Sequence, residues 1–344
     1  MLRPRLLLLL LVALALGAVI GACGGDDDGG GGSDQRTLVI YSGRAEKLVG
    51  PLLERFERAS GIRLQVRYGE SAELAATIAE EGDASPADVF FSQDAGALGA
   101  VKAADLLAPL PAAVLDRIDP RFRDPDGTWV GTSGRARVVA YSTERVKRDE
   151  LPESIFDFTD ARWKGRIGFP PPNASFQAFV SAMRLDVGDK RTRAWLEGIK
   201  ANDPTLLENN IQTEEAIASG EIDVGFVNHY YVYELRAERA DFPVANHFLA
   251  AGDPGALVNV AGIGILRSAD HGPEAGELAR FLLANPAQEF FATKTFEYPL
   301  VASVAQPRGL RPLPGAQGPD IELGALGAKL RSTLELLRSV GLTG

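Results

Sequence analysis

The chain has 344 residues and a formal net charge of −10, and its body from residue 36 onward is long enough for two lobes rather than one core. An acidic balance of this size argues against nucleic acid as a partner. Beyond the first residues no apolar run is long enough to cross a membrane, so we expect the body not to span one.

Residues 1–22 predict a lipoprotein signal peptide. Arg3 and Arg5 precede an apolar run that ends in IGAC, which is typical of a bacterial lipobox with Cys23 as the lipidated residue. The alternatives are an ordinary secretory peptide and a membrane-spanning anchor. Residues 23–35, almost all glycine and aspartate, predict a flexible tether. Loss of Arg3 and Arg5 with the signal lowers the net charge from −10 to −12. We therefore expect a protein held to the outer face of a membrane.

Strands and helices alternate along the body. Apolar or alternating runs predict strands at residues 37–41, 63–68, 86–93, 137–142, 166–169, 222–227 and 257–266. Helical patterns follow the first strand, occupy 71–81 with Ser71 as the cap, follow Asn173, occupy 192–202, begin near His229, and complete the chain as three further helices. The alternation predicts an α/β fold with a mostly parallel sheet. Together with the length it predicts two lobes and a cleft between them.

The run NHYY at residues 228–231 places two tyrosines side by side at the end of a predicted strand. Adjacent residues in a helix are about 100° apart, so the phenols of Tyr230 and Tyr231 can reach one point beyond a helix start. Because the pKa of a phenol is about 10, a tyrosinate at neutral pH needs a strong cation, and hard Fe(III) suits phenolate oxygen. The alternative is aromatic packing, with Tyr230 and Tyr233 on one apolar face.

Two phenolates do not neutralise a ferric ion, so an anion is expected to complete such a site. One candidate place is the start of the helix after the three prolines, where backbone amides lack helical partners. Its residues are Asn173, Ala174 and Ser175. Another is the SGR turn, where the guanidinium of Arg44 could hold carbonate or phosphate. The alternatives are a plain capped helix and, for Arg44, a surface charge that pairs with Glu46 or Glu54.

Several runs of the chain resemble the ferric-ion-binding proteins of bacterial iron ABC importers. They are LVIYSGR, SPADVFFSQDAGAL, SGRARVVAYST, WKGRIGF, SGEIDVGFVNHYY, GDPGALVNVAGIGIL and EYPLV. The resemblance implies a two-lobed periplasmic-binding-protein fold of type II, with hinge-strand crossings near SGRARVV and GALVNVAGIG. By that analogy the N-terminal lobe takes residues 36–135 plus 258–312, and the C-terminal lobe takes 136–257 plus 313–344.

The resemblance also implies site residues. The tyrosine pair that binds iron in the family matches Tyr230 and Tyr231, and the anion-binding helix start matches residues 173–175. The remaining matches are the polar positions Asn210 and Asn228 and the arginine Arg135.

The chain departs from the family pattern at three ligand positions. Many members carry a histidine where this chain has Ala45, and a glutamate where it has Gln93. Others carry a third tyrosine where it has Phe176. Gln93, water or extra carbonate could fill the coordination sphere, with Arg44 as a holder of the anion.

The leading functional hypothesis is therefore a lipid-anchored, monomeric binding protein that captures Fe(III) with carbonate or a similar anion. It would deliver the ion to an ABC permease from the outer face of the cytoplasmic membrane or the periplasm. One alternative is a binding protein for a ferric chelate, an organophosphate or another small anion. A secreted hydrolase is disfavoured, because the sequence contains neither the serine motif G-x-S-x-G nor the histidine motif HExxH, and it has only three histidines. We expect no enzymatic activity and no catalytic cofactor.

Overall fold

The computed structural model describes residues 36–306 and 318–343. The predicted signal peptide, the tether and Cys23 lie outside the described residues, and so does the predicted lobe boundary at 312–313. Within the described ranges no helix has the length and apolar character needed to cross a membrane.

The fold is built from strands and helices that alternate over most of the chain. The strands are β1 (Thr37–Ser42), β2 (Arg63–Tyr68), β3 (Val89–Ser92), β4 (Leu107–Ala108), β5 (Trp129–Ser142), β6 (Ile167–Phe169), β7 (Thr205–Leu206), β8 (Val224–Asn228), β9 (Val244–His247), β10 (Val258–Leu266) and β11 (Tyr298–Pro299). The α-helices are α1 (Glu46–Ser60), α2 (Ser71–Glu81), α3 (Ala95–Ala103), α4 (Ala112–Leu115), α5 (Ala174–Ala201), α6 (Asn210–Ser219), α7 (Tyr231–Glu238), α8 (Gly272–Leu282), α9 (Asn285–Lys294) and α10 (Leu326–Val340).

The first sheet region consists of β1–β4, β10, β11 and the part of β5 up to Ala136. Strand β1 pairs in parallel with β2 and β3, and β10 runs antiparallel between β3 and β5. The apolar runs of β3 and β10 are buried along their whole length, as expected for central strands covered on both faces. Edge strand β2 instead alternates between exposed and half-buried residues.

The second sheet region consists of β6–β9 and the part of β5 from Arg137 onward. Strand β5 pairs antiparallel with β8 and β9, and β8 pairs in parallel with β6. Because β5 belongs to both regions, the chain passes from one to the other between Ala136 and Arg137. A second crossing lies beside the first, where the Arg137 amide donates to the Leu257 carbonyl at 2.8 Å and β10 begins. The two crossings place the strand ends of both regions around one space.

Most predicted elements are confirmed, and β2 and α2 have the predicted bounds. Strand β5 begins at Trp129, eight residues before the predicted 137, because its Gly–Thr–Ser stretch carries no apolar pattern. The helix after Asn173 and the predicted helix at 192–202 are one element, α5, interrupted at Gly188 with φ 81°. Ser71 is the first residue of α2 and not its cap; its hydroxyl instead accepts from the Gln93 amide at 2.8 Å.

Candidate metal centre

A cleft of about 400 Å³ lies where the strands of both sheet regions end. Parallel strands bring their carboxyl ends to one edge, and that edge is where ligands bind in α/β sheets. The first side of the cleft is formed by residues that follow β1, β2 and β3, and the second side by residues that follow β6 and β8, with helices α5, α6 and α7. The cleft residues on the first side include Ala45, Glu70, Gln93 and Asp94. Those on the second side include Asn173, Ala174, Ser175, Asn228, Tyr230, Tyr231 and Glu234.

The two adjacent tyrosines lie together in the cleft at the start of α7. Tyr230 is the residue before the helix and Tyr231 its first residue, so the predicted start near His229 is two residues too early. Their ring centroids are 4.2 Å apart at 31°, the Tyr230 hydroxyl donates to that of Tyr231, and Asn210 also donates to Tyr231. Tyr233 stacks on Phe296 instead, at 6.1 Å. The two phenol oxygens thus meet at one point, as predicted.

Burial raises the pKa of both phenols, and that of Tyr230 rises well above its ordinary value. Both are therefore neutral at physiological pH without a ligand. A cation that binds them must displace two protons, which selects for an ion of high charge. In the described part of the chain no group of three His, Cys, Asp or Glu side chains could hold a metal. A metal in this cleft would need the phenols.

The start of α5 has the predicted cap. The side-chain oxygen of Asn173 accepts from the Ser175 amide at 3.0 Å and from the Ser175 hydroxyl at 2.6 Å. Asn210 donates to the same oxygen at 3.2 Å. The prediction of three free amides is wrong for two of them, because the Asn173 amide donates to Pro170 and the Ser175 amide to Asn173. Only the Ala174 amide donates to no described residue.

Arg137 is a buried cation without an anionic partner in the described chain. It is 3% exposed, and its Nη1 donates to the Ser175 hydroxyl at 3.2 Å and to the Asn228 side chain at 3.1 Å. Its Nη2 is buried and donates to no described atom. Burial lowers the pKa of Arg137 to about 9. A buried charge of this kind is costly unless it is paired, and the cleft is the place from which a partner could come.

The predicted residue Arg44 lies elsewhere. Its side chain is fully buried, and its guanidinium donates to Glu297 at 2.6 Å and to the Gln93 side chain at 2.6 Å. The alternative of a surface charge paired with Glu46 or Glu54 is wrong, because Arg44 is not at the surface. Nor does its guanidinium line the cleft, so the geometry does not favour a direct contact with a bound anion.

Arg135 and Gln93 belong to the same buried cluster. Arg135 donates to the Gln93 carbonyl and lies 3.9 Å from the Glu297 carboxylate, which also accepts from Ser133 and Thr295. Both Arg135 and Gln93 line the cleft. Burial lowers the pKa of Arg135, and the neighbouring Arg44 lowers it further. Apart from its place in the run EYPLV, no sequence pattern predicts this role for Glu297.

Of the three departures from the family pattern, two line the cleft and the third does not. Ala45 and Gln93 line the first side of the cleft, and the Gln93 side-chain oxygen is occupied by Arg44. Phe176 is fully buried and stacks on Phe169 at 4.8 Å. The first side therefore offers neither a histidine nor a carboxylate at the usual ligand positions.

His229 does not take part in the site, although it precedes the tyrosines. Its Nδ1 accepts from the Ala136 amide at 3.2 Å, and its Nε2 donates to the Phe296 carbonyl at 3.0 Å. Burial lowers the pKa of His229 to about 4. Both ring nitrogens are used, so the ring is a neutral packing element.

Sequence reasoning missed two residues of the second side, Arg137 and Glu234. Arg135 and Arg137 are two apart on a strand, so their side chains share a face, which was a signal in SGRAR. Glu234 is three residues after Tyr231, the spacing that puts side chains on one helical face.

Comparisons with known proteins bear on this cleft. The family described as bacterial extracellular solute-binding protein matches residues 84–315. The chain is 33% identical over 308 residues to the Fe(3+)-binding periplasmic protein of Serratia marcescens. The aligned stretch covers 89% of this chain and 90% of that protein.

Two solved structures share the fold. Iron-bound HitA from Pseudomonas aeruginosa has a TM-score of 0.83 and 32% identity, over 89% of this chain and 99% of that one. The Trichodesmium protein IdiA (FutA), solved with iron and citrate ligands, has a TM-score of 0.79 and 27% identity. The match covers 89% of this chain and 100% of that one. The predicted α/β fold of the type II periplasmic-binding kind is confirmed.

Proposed function

Because the chain belongs to the family of bacterial extracellular solute-binding proteins, we propose that it captures Fe(III) with a small anion in this cleft. The resemblance to ferric-ion-binding proteins predicted from the motifs is thereby confirmed. The ion would pass to an ABC permease, the partner that a substrate-binding family implies. The relatives are named as periplasmic iron-binding proteins and not as enzymes, and we propose no catalytic activity for this chain.

The observation that carries the proposal is the meeting of two neighbouring phenol oxygens in a cleft. Tyr230 and Tyr231 have no role in the aromatic core that would require both hydroxyls to face each other. On binding, each phenol loses its proton and supplies one negative charge, and hard Fe(III) gains two oxygen ligands. The metal ligands that we propose are therefore Tyr230 and Tyr231.

For the anion we propose a place at the start of α5, on the second side. Arg137 supplies an unpartnered guanidinium, and the Ala174 amide and the Ser175 hydroxyl lie beside it. A planar guanidinium suits carbonate or a similar oxyanion. Supporting positions are Asn173, Asn210, Asn228, Arg135 and Gln93, which keep the roles predicted for them. Arg137 takes the place that the sequence assigned to Arg44.

We propose the same division of the chain into lobes that the family resemblance predicts. Residues 36–135 plus 258–312 would form one lobe and residues 136–257 plus 313–344 the other, with the cleft between them. The crossings of β5 and β10 between the sheet regions support these boundaries. We further propose a monomer anchored by a lipid on Cys23, after removal of residues 1–22.

A ferric chelate or another small anion is the second candidate ligand. The first side lacks ligands at positions 45 and 93, and the cleft volume of about 400 Å³ leaves room for a multidentate acid beside the ion. The Trichodesmium relative was solved with iron and citrate. This candidate keeps the tyrosines and exchanges carbonate for a larger anion.

The test is a titration with ferric citrate, followed by the visible charge-transfer band of iron tyrosinate. Tyr230→Phe and Tyr231→Phe keep the rings and remove the oxygens, and each should lose the band. Tyr68→Phe, which lies on β2 outside the cleft, is the matched control and should keep it. Native colour and affinity in both cleft variants would overturn the tyrosinate site.

A further inference from the structure

The proposed site leaves a charge unaccounted for. Two phenolates supply two negative charges to a trivalent ion, and the first side offers Ala45 and Gln93 where a charged ligand would stand. An unpaired carboxylate in the same cleft would complete the balance. Four acidic side chains line the cleft: Glu70, Asp94, Glu208 and Glu234.

Three of these are less suitable. Asp94 caps α3, accepting from the Ala97 amide at 3.0 Å. Glu70 and Glu208 are exposed to solvent and lie outside α7. Glu234 is half-buried and lies in the same helix as Tyr231, and its side chain makes no hydrogen bond or ion pair with any described residue. A half-buried carboxylate without a partner is unfavourable, and a cation in the cleft would remove that cost.

The helix geometry directs Glu234 toward the phenols. Residues three and four apart lie on one face, and helical side chains lean toward the N-terminus of the helix. Glu234 follows Tyr231 by three and Tyr230 by four, so its carboxylate leans toward the end of α7 where the phenol oxygens meet. Glu234 lines the same cleft as Tyr230 and Tyr231.

The geometry points to Glu234 as a third protein ligand of the ferric ion, so that α7 and the residue before it supply three anionic oxygen ligands. This inference rests on the proposed function. The two phenolates and the Glu234 carboxylate together balance the three positive charges of Fe(III), and no ligand from the first side is needed for that balance. The synergistic anion then fills coordination positions and pairs with Arg137, and it is no longer needed to balance the metal charge.

The competing role for Glu234 is a latch across the cleft. Lys47 of α1 lines the opposite side, and among the charges near Glu234 it has the largest effect on the Glu234 carboxyl. A latch would affect closure without touching the metal. Its loss would weaken iron binding but leave the ligand field of bound iron unchanged.

The experiment compares Glu234→Gln with Lys47→Gln and with Glu238→Gln, which lies one turn further along α7. Fe(III) affinity is measured by competition with citrate, and the position of the charge-transfer band is recorded for each saturated protein. We expect Glu234→Gln to weaken binding more than the roughly 10–100-fold typical for loss of a supporting partner, and to shift the band. Glu238→Gln should keep the native band and affinity, and Lys47→Gln should keep the native band.

Native affinity and band position in Glu234→Gln would overturn the inference. A weakened Glu234→Gln with an unchanged band, matched by Lys47→Gln, would assign the latch instead and overturn it as well. The tyrosine variants separate this failure from failure of the proposed function. If Tyr230→Phe and Tyr231→Phe lose iron while Glu234→Gln behaves as native, only the role of Glu234 is wrong.

Discussion

The two sides of the cleft differ in how their polar groups are used. On the first side the buried charges are paired or hydrogen-bonded within the fold: Arg44 pairs with Glu297, and Asp94 caps a helix. On the second side two tyrosines, Arg137 and Glu234 line the cleft, and none of them forms an ion pair with a described residue. Buried polar groups are normally satisfied. The contrast supports the proposal that the second side captures the ligand while the buried charges of the first side stabilise the fold.

The sharpest test of this contrast removes one group from each side. Tyr231→Phe should reduce Fe(III) affinity by more than the roughly 10–100-fold that loss of a supporting residue costs a metal site, because it removes a ligand. Gln93→Ala on the first side should stay within that range. Citrate competition measures both. Equal losses in the two variants would mean that the ion is held by both sides.

A second prediction concerns the stability of the first side. Glu297→Gln should lower the free energy of unfolding by about 3–5 kcal/mol, because it leaves Arg44 buried and unpaired. Both members of this pair are at most 1% exposed. Urea denaturation of the metal-free protein measures the change.

The matched control for that prediction is an exposed pair. Glu54→Gln breaks the pair with Arg58, whose side chains are 65% and 67% exposed, and should cost less than about 1 kcal/mol. If Glu297→Gln costs no more than Glu54→Gln, the buried cluster does not stabilise the first side.

Much of the fold could be predicted from the sequence. Apolar runs such as TLVIY and VNVAGIGIL mark central strands because burial on both faces requires them. The start of β5 was missed because its residues are small and polar. They form a strand because the surrounding tertiary structure buries them. The short strands β4, β7 and β11, of two residues each, carry no periodic signal.

The sequence predicted those parts of the candidate site whose positions depend on local backbone geometry. The Asn173 cap and the meeting of the two phenols follow from helix starts, which are local features. Arg44 was misplaced because its partner, Glu297, is 253 residues away in sequence. Which arginine faces a cleft depends on such distant contacts, and residue type alone cannot reveal it.

A third prediction uses pH and concerns the second side without metal. His229 is neutral in the fold, where burial lowers its pKa from 6.5 to about 4. The unfolded chain binds more protons between these values, so stability is full above 6.5 and falls as the pH drops toward 4. The loss contributed by His229 should approach about 3 kcal/mol.

The difference between native protein and His229→Gln isolates this contribution. Carboxyls with raised pKa values, such as Glu214 and Glu234, act in the opposite direction and are common to both proteins. Urea denaturation between pH 7.5 and 4.5 (roughly spanning the shift) should show a steeper loss in native protein. Parallel curves would contradict the neutral, packed role of His229.

The last prediction separates the two arginines that could hold the anion. Arg137→Gln should weaken Fe(III) binding in bicarbonate by roughly 10–100-fold and remove most of the dependence on bicarbonate. It should not lower the stability of the metal-free protein, because Arg137 has no buried carboxylate to leave unpaired. Arg44→Gln should do the reverse: the protein becomes less stable, since buried Glu297 loses its 2.6 Å ion pair, while the bicarbonate dependence persists. Arg166→Gln, at a partly exposed pair with Asp223, is the control for a lost positive charge on the same side. Titration of Fe(III) with and without added bicarbonate, together with urea denaturation, measures both quantities for each variant. If Arg44→Gln and not Arg137→Gln abolishes the bicarbonate dependence, the anion lies on the first side, and the division between a structural side and a capturing side fails.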